Sequence, residues 1–168
     1  MPIKGIINLP GDKSISHRAL MLASLTDGEC VIHNLSTGED VETTRNCLSQ
    51  CGILSSNDGE TVRISGGSFM NPKTPLNCGN SGTSVRLLVG LLAGQGISAE
   101  FTGDSSLSKR PMNRIIDPLT QMGVHFKSND GYLPISMTLN NLNSITYSPP
   151  VASAQVKSAI LLGGLGIE

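Results

Sequence analysis

The sequence predicts an α/β (α+β) protein built from repeated βαβαββ units around a pseudo-threefold axis, with buried helices at its centre. Three observations lead to this fold class. The pattern Ser-Asn-Asp-Gly occurs at residues 56–59 and again at 128–131, a period of about seventy residues. Each copy lies between two short runs rich in apolar residues, which is typical of a hairpin. The segments 19–23, 87–92 and 160–165 are apolar on nearly every side, as in helices that are buried from several directions.

The first unit is expected at about residues 10–70. Its pattern predicts a helix at 14–25, a strand at 30–33, a second helix that starts near Glu39 and Asp40, and a hairpin with Asp58 and Gly59 at its turn. Acidic residues favour a helix start because they complement the positive end of the helix dipole. Asp-Gly favours a type I′ turn, in which both central residues need positive φ.

The second unit, at about 76–140, repeats this order. We expect a helix at 82–93, a strand at 97–102, a second helix after Pro111 and a hairpin at Asp130 and Gly131. A third unit, at about 143–168, opens with a strand at 144–147 and a helix at 152–165, so it is incomplete. Four glycines in the apolar helices each lower helix propensity by ~1 kcal/mol relative to Ala, and close helix packing is the expected compensation. They are Gly90, Gly94, Gly163 and Gly164.

Composition excludes several classes of function. The chain has 168 residues, a net charge of −1 and 3% aromatic residues, so it offers neither a basic field nor stacking platforms for nucleic acid. Its apolar stretches are too short for a membrane span. No P-loop, GxGxxG or Ser-His-Asp spacing occurs. The cysteines lack metal-ligand spacing and the N-terminus lacks a targeting pattern, which together predict reduced thiols, no metal and a cytoplasmic location.

The starts of the three apolar helices share a pattern that suits anions. Residues 14–18, 82–86 and 153–157 each begin with Ser or Gly and carry a cation four residues later: Arg18, Arg86 and Lys157. A helix start presents unpaired N–H groups and the positive end of the dipole, and a cation one turn along the same face can reach back. Equivalent helices of a pseudo-symmetric fold should place their starts near one another, so we expect a ligand with several anionic groups. The alternative is three ordinary caps followed by solvated charges.

Three more residues are candidates with open alternatives. Lys13 precedes the first helix and reads either as an anion ligand or as a surface lysine. Arg110 precedes the second helix of its unit and reads either as a ligand or as part of the helix start. His17 either orients a ligand group or packs in the interior.

Four motifs, at residues 9–18, 79–86, 109–112 and 152–159, resemble the 5-enolpyruvylshikimate-3-phosphate synthase family. The resemblance extends over essentially the whole chain, and the fourth motif has the form found in the bacterial class that includes glyphosate-insensitive members. It implies transfer of the enolpyruvyl group of phosphoenolpyruvate to the 5-hydroxyl of shikimate 3-phosphate, with release of phosphate. The implied route is addition and elimination through a tetrahedral intermediate, with no metal and no cofactor, and the implied fold is the family's inside-out barrel.

The resemblance also implies roles for single residues. Ser14 and Arg18 would hold shikimate 3-phosphate near its carboxylate, Ser153 and Ala154 its 3-phosphate, and Gln155 its ring and the side facing the second substrate.

The phosphoenolpyruvate side is implied at Gly82, Thr83, Arg110 and Gln155, with Lys13 touching both substrates as the catalytic candidate. A second tier of positions that shape and brace the pocket is Asn80, Arg86 and Lys157. Members that resist glyphosate carry Ala at the position of Gly82, so Gly82 implies sensitivity in the full-length parent.

Family members are longer, with two three-unit domains that close on the substrates and contain the acid and base carboxylates in the second domain. Residues 1–9 would be a crossover strand that belongs to that second domain, and residues 10–168 a partial first domain. The resemblance thus implies a piece of a longer, monomeric enzyme or one half of a split protein. By itself it would bind substrate weakly, catalyse nothing and tend to self-associate.

Three other interpretations remain open at this point. UDP-N-acetylglucosamine enolpyruvyl transferases share the fold, but they have Lys-Asn where this chain has Lys13 and Ser14, and a loop cysteine that residues 104–109 lack. RNA 3′-phosphate cyclases share related units, which would make the chain a nucleic-acid module. A purely structural or non-catalytic anion-binding repeat is the third.

Overall fold

A computed structural model describes residues 4–7, 9–59, 61–139 and 141–167. In chain order the elements are α1 (Lys13–Ser24), β1 (Glu29–His33), α2 (Glu39–Gln50), β2 (Leu54–Asp58), β3 (Thr61–Ser65), β4 (Leu76–Asn77), α3 (Gly82–Gly94), β5 (Ala99–Thr102), a 3₁₀ turn (Leu107–Lys109), α4 (Asn113–Gln121), β6 (Val124–Asn129), β7 (Tyr132–Leu139) and α5 (Ala154–Gly164).

The strands form two sheets, one for each complete repeat. The first sheet is antiparallel with the order β1-β3-β2, and the second has the order β4-β5-β7-β6, in which β4 and β5 alone are parallel. Helix, strand, helix and hairpin follow one another in both repeats, which confirms the mixed α/β class and the repeat. The second repeat adds β4 and is a full βαβαββ unit. The predicted crossover strand at 1–9 lies partly outside the described residues, and residues 4–7 carry no strand.

One hairpin turn is confirmed and the other is shifted. Asp130 and Gly131 have φ values of 51° and 78° between the paired residues Asn129 and Tyr132, as a type I′ turn requires. In the first hairpin Asp58 pairs with Thr61, so Asp58 is a strand residue and the prediction that it sits in the turn is wrong. Gly59, with a φ of 67°, follows the strand as a turn residue.

The predicted strand at residues 144–147 is also wrong, because this segment is irregular. Ile145 and Tyr147 are half-buried against the core, which explains the alternating pattern in the sequence. Alternation alone does not make a strand, since the backbone must also pair with a neighbouring strand. Within the described ranges no strand pairs with this segment.

The core is centred on α3, which packs most extensively on α5 and also contacts α1, α2 and α4. Residues 87–93 of α3 are all buried, which confirms that this helix is enclosed on every side. The same prediction is wrong for the other two helices. Leu22 of α1 is 51% exposed and Leu161 of α5 is 60% exposed, so each of these helices buries one face only.

Glycine allows the close approach of α3 and α5. A Cβ built on Gly90 would lie 2.1 Å from the carbonyl oxygen of Ala159, and one on Gly94 would lie 2.8 Å from that of Leu162. Gly163 faces the carbonyl oxygen of Gly90 at 3.4 Å. The predicted packing role is therefore confirmed for these three. It is wrong for Gly164, where a Cβ would meet open space among the described residues.

All four cysteines are free thiols, and Cys47, Cys51 and Cys78 are buried. Burial raises the pKa of the Cys51 thiol to about 12. These buried thiols belong to the packing between α2 and β4, where Cys47 Sγ contacts the carbonyl oxygen of Asn77.

We expect Gly90→Ala to lower the free energy of unfolding by about 1–3 kcal/mol, because the new methyl group would force α3 and α5 apart. Gly164→Ala is the matched control and should raise the free energy of unfolding by up to ~1 kcal/mol, because Ala has the higher helix propensity. Urea denaturation followed by circular dichroism measures both. Equal effects of the two substitutions would contradict close packing at Gly90.

Candidate anion-binding site

Each of the three helices that the sequence singles out begins with a side-chain cap. The Asp12 carboxylate accepts a hydrogen bond from Ile15 N at 2.8 Å, Ser81 Oγ from Ser84 N at 3.1 Å, and Ser153 Oγ from Val156 N at 3.3 Å. The helix start predicted at Gly82 is confirmed, and the one predicted at Ser14 is off by one residue, because α1 begins at Lys13. Ser153 is itself the cap of α5. In α1 and α3 the residue just upstream of the helix satisfies the free N–H groups instead.

Two of the three cations reach back one turn as predicted. Arg18 Nη1 donates to the carbonyl oxygen of Ser14 at 2.9 Å, and Arg86 Nη1 donates to that of Gly82 at 3.2 Å. Lys157 is exposed. These contacts hold each guanidinium beside the first turn of its own helix.

The same arginines join their helices to α5. Arg18 Nη2 donates to Ser158 Oγ at 2.8 Å, and Arg86 Nη1 donates to Gln155 Oε1 at 3.1 Å. Gln155 Nε2 donates in turn to Thr83 Oγ1 at 3.0 Å. The beginnings of α1, α3 and α5 therefore meet, as the sequence pattern predicts.

Arg110 lies beside this meeting point and is held by the loop before α3. Its guanidinium donates to Asn80 Oδ1 at 2.5 Å, and Asn80 Nδ2 donates to Asp104 Oδ2 at 2.7 Å. Asp104 accepts from the backbone N–H of Leu107 as well, and these hydrogen bonds, the backbone one first, lower the pKa of the Asp104 carboxyl. Asn80 thus braces Arg110.

Gly82 lies against both guanidinium groups. A Cβ built there would be 2.7 Å from Arg86 Nη1 and 3.4 Å from Arg110 Nη1. Burial, followed by repulsion from Arg110 and Arg114, lowers the pKa of the Arg86 guanidinium. Two like charges therefore flank Gly82.

Three half-buried arginines at this place, Arg18, Arg86 and Arg110, lack an acidic partner. The ion pairs of the described chain, Lys13–Asp40, Arg45–Glu42 and Arg63–Glu29, lie elsewhere. Half-buried charges that are hydrogen-bonded only to neutral groups favour a bound counter-ion. The arrangement is therefore suited to binding an anion.

Lys13, unlike the three arginines, is paired with a carboxylate. Its Nζ lies 2.9 Å from Asp40 Oδ2 of α2, and its side chain is 56% exposed. Ser14 and Ala154 are exposed at the helix starts, while Ser153 and Thr83 are half-buried.

A buried polar chain that the sequence analysis does not predict lies beneath these helix starts. His17 Nδ1 and Thr44 Oγ1 are 2.8 Å apart, Thr44 Oγ1 and Ser84 Oγ are 2.8 Å apart, and Ser84 Oγ donates to the carbonyl oxygen of Asp40 at 3.1 Å. His17 is fully buried, so it packs in the interior as its alternative reading has it. Its partners come from α2 and α3, and no local spacing in the sequence indicates them.

A hollow of about 530 Å³ adjoins the start of α5. Ser153, Ala154 and Lys157 line it together with apolar side chains that include Tyr147 and Ile160. A larger hollow of about 830 Å³ lies along residues 33–37 and the first hairpin, away from the predicted site residues.

Two absences hold for the described part of the chain. Its His, Cys, Asp and Glu side chains form no group of three or more that could hold a metal ion. None of its helices combines the length and the apolar character needed to cross a membrane.

Comparison with known proteins identifies the family. The family model of EPSP synthase (3-phosphoshikimate 1-carboxyvinyltransferase) matches residues 1–167. This chain belongs to the EPSP synthase family. The resemblance inferred from the motifs at the three helix starts is therefore confirmed. Two of the motifs contact each other in the structure: Asn80 belongs to the motif at 79–86, and Arg110 belongs to the motif at 109–112.

Individual EPSP synthases give the extent of the match. The 3-phosphoshikimate 1-carboxyvinyltransferases of Thermotoga neapolitana and Geobacillus kaustophilus are 45% and 46% identical over 164 and 168 residues. A solved structure of EPSP synthase from Acinetobacter baumannii superposes with a TM-score of 0.92 at 42% identity and covers 98% of this chain. The chain spans 39% of the length of those two relatives and 38% of the solved chain.

The buried imidazole makes a prediction about pH. Burial, which outweighs attraction from Asp40, lowers the pKa of His17 from 6.5 to about 4. As the pH falls, His17 therefore binds a proton near pH 6.5 in the unfolded chain but only near pH 4 in the folded chain. Stability should fall over this interval as the pH falls, by roughly 3 kcal/mol at most.

His17→Asn tests this expectation, because an amide can occupy the position of Nδ1 and does not titrate. The unfolding free energy of the variant should decline less between pH 6.5 and 4 than that of the unsubstituted chain, as measured by urea titrations at several pH values. Parallel pH profiles for the two proteins would refute the assignment.

Proposed function

We propose that this chain supplies the half of a 3-phosphoshikimate 1-carboxyvinyltransferase that receives shikimate 3-phosphate and part of phosphoenolpyruvate. The observation that carries the proposal is the set of half-buried guanidinium groups at the converging starts of α1, α3 and α5 that form no ion pair with the described residues. Both substrates are small and carry a carboxylate and a phosphate. The family membership and the charge at the site thus favour the same ligand class.

In the proposed complex, shikimate 3-phosphate lies across the starts of α1 and α5. Ser14 and Arg18 bind its carboxylate side, and Ser153 and Ala154 bind its 3-phosphate through the start of α5. Gln155, which already contacts both Thr83 and Arg86, lies between this substrate and the second one.

Phosphoenolpyruvate is assigned to the start of α3. Gly82 and Thr83 supply the helix start, Arg110 a guanidinium and Lys13 an ammonium group, with Lys13 touching both substrates. The second-tier residues are proposed to shape this pocket and to balance its charge; they are Asn80, Arg86 and Lys157.

The chemistry needs this charge. The 5-hydroxyl oxygen of shikimate 3-phosphate gives up its proton and bonds to C2 of phosphoenolpyruvate while C3 takes up a proton, which gives a tetrahedral intermediate. Loss of a proton from C3 then restores the double bond and expels phosphate. Cations that are fixed in advance hold the two anions together and stabilise the departing phosphate. We assign the proton transfers, and closure over the substrates, to a second three-unit domain that residues 1–9 would join, in a cytoplasmic and monomeric parent.

A titration of the ¹⁵N-labelled chain followed by NMR tests the proposal. Shikimate 3-phosphate should shift amide signals at residues 14–18, 82–86 and 153–158, whereas UDP-N-acetylglucosamine at the same concentration should not. A preference for the UDP-sugar would assign the chain to the other enolpyruvyl transferases. Salt-dependent binding of an oligonucleotide at these residues would revive the nucleic-acid interpretation, and no response to any of the three would disprove the proposed function.

Gly82→Ala should weaken binding of phosphoenolpyruvate by about threefold to tenfold, because the new methyl group displaces the Arg86 guanidinium. Binding of glyphosate, which Gly82 is proposed to accommodate, should be weakened as well. Calorimetric titration in the presence of shikimate 3-phosphate measures both affinities, with Gly164→Ala as the control. Unchanged affinities in the Gly82 variant would show that this glycine does not border the anion.

A further inference from the structure

Ser158 connects α5 to a cation on a distant part of the chain. Its Oγ accepts a hydrogen bond of 2.8 Å from Arg18 Nη2, and Arg18 Nη1 donates to the carbonyl oxygen of Ser14 at 2.9 Å. Both Arg18 and Ser158 are half-buried. Two hydrogen bonds on different nitrogens fix the plane of the guanidinium, which one alone would leave free to rotate.

The contact has a counterpart one turn earlier on α5. Gln155 precedes Ser158 by three residues, so the two side chains lie on the same face of the helix. Gln155 Oε1 accepts from Arg86 of α3, as Ser158 Oγ accepts from Arg18 of α1. One face of α5 thus holds two arginines, one from each of the other apolar helices.

Both acceptors are uncharged. A carboxylate at either position would form a stronger, charge-assisted hydrogen bond with the guanidinium. It would also cancel the positive charge and repel an incoming anion. A hydroxyl or amide oxygen orients the guanidinium and leaves its charge available.

Packing alone does not account for the serine. The buried face of α5 is formed by other residues, among them Val156, Ala159 and Leu162. A serine inside a helix commonly donates its hydroxyl to the carbonyl four residues earlier, which slightly destabilises the helix. Here the hydroxyl oxygen is turned to the guanidinium of another helix.

We propose that Ser158 is a positioning residue that aims Arg18 at the carboxylate of the bound substrate without neutralising it. The inference rests on the proposed function, since it takes Arg18 to be a substrate ligand. It adds a residue that does not itself touch the substrate, together with the requirement that this residue be uncharged.

Four variants of the 168-residue chain test the inference, with shikimate 3-phosphate as the probe. Ser158→Ala removes the acceptor and should weaken binding about threefold to tenfold, the usual effect of one hydrogen bond. Ser158→Thr keeps the hydroxyl and should restore binding to within about twofold. Ser158→Asp should preserve or raise the unfolding midpoint while weakening binding by at least about tenfold. Arg18→Ala should weaken binding at least as much as Ser158→Asp.

The outcomes separate the two levels of the proposal. If the Ser158→Asp variant binds shikimate 3-phosphate as tightly as the unsubstituted chain does, the requirement for an uncharged acceptor is wrong. The contact between Ser158 and Arg18 is then purely structural. Ser158→Ala with full affinity, beside a weakened Arg18→Ala, would overturn the role of Ser158 alone. If Arg18→Ala also binds normally, or if the unsubstituted chain does not bind, the proposed function itself is wrong.

Discussion

Two guanidinium groups, from α1 and α3, meet one face of α5 and are held there by neutral oxygens. Every other feature of the site depends on this contact. It brings three helix starts together, so their dipoles and free N–H groups act on one place. It also concentrates positive charge in a chain whose net charge is −1. Selectivity for small, multiply charged anions follows from this local concentration.

The helix packing behind the site makes this contact possible. Gly90 and Gly94 let the backbones of α3 and α5 approach more closely than any side chain would permit. Below the surface, the hydrogen-bonded side chains of His17, Thr44 and Ser84 connect α1, α2 and α3 and fix these helices relative to one another. The cations are therefore mounted on rigid elements, and little reorganisation is needed when an anion arrives.

The sequence alone predicts the mixed α/β class, the repeat, the long helices and the meeting of three helix starts, because these features follow from local patterns. Predictions from the sequence are wrong where residues that are distant in the chain determine the local structure. Asp58 is a strand residue because Thr61 pairs with it, and residues 144–147 are irregular because no described strand lies beside them. Likewise, His17 and Ser158 acquire their roles from Thr44 and Arg18, to which no spacing in the chain points.

The dependence of Arg18 and Arg86 on α5 ties occupancy of the site to the local opening of that helix. Among the described residues Leu161 of α5 and its C-cap Leu165 are each 60% exposed, whereas residues 87–93 of α3 are all buried, so within this chain α5 should open locally more readily than α3. Thermodynamic linkage then works in both directions. Fraying of α5 releases both guanidinium groups and weakens the site, and a bound anion slows hydrogen exchange at the amides of α5, even those that lie far from it.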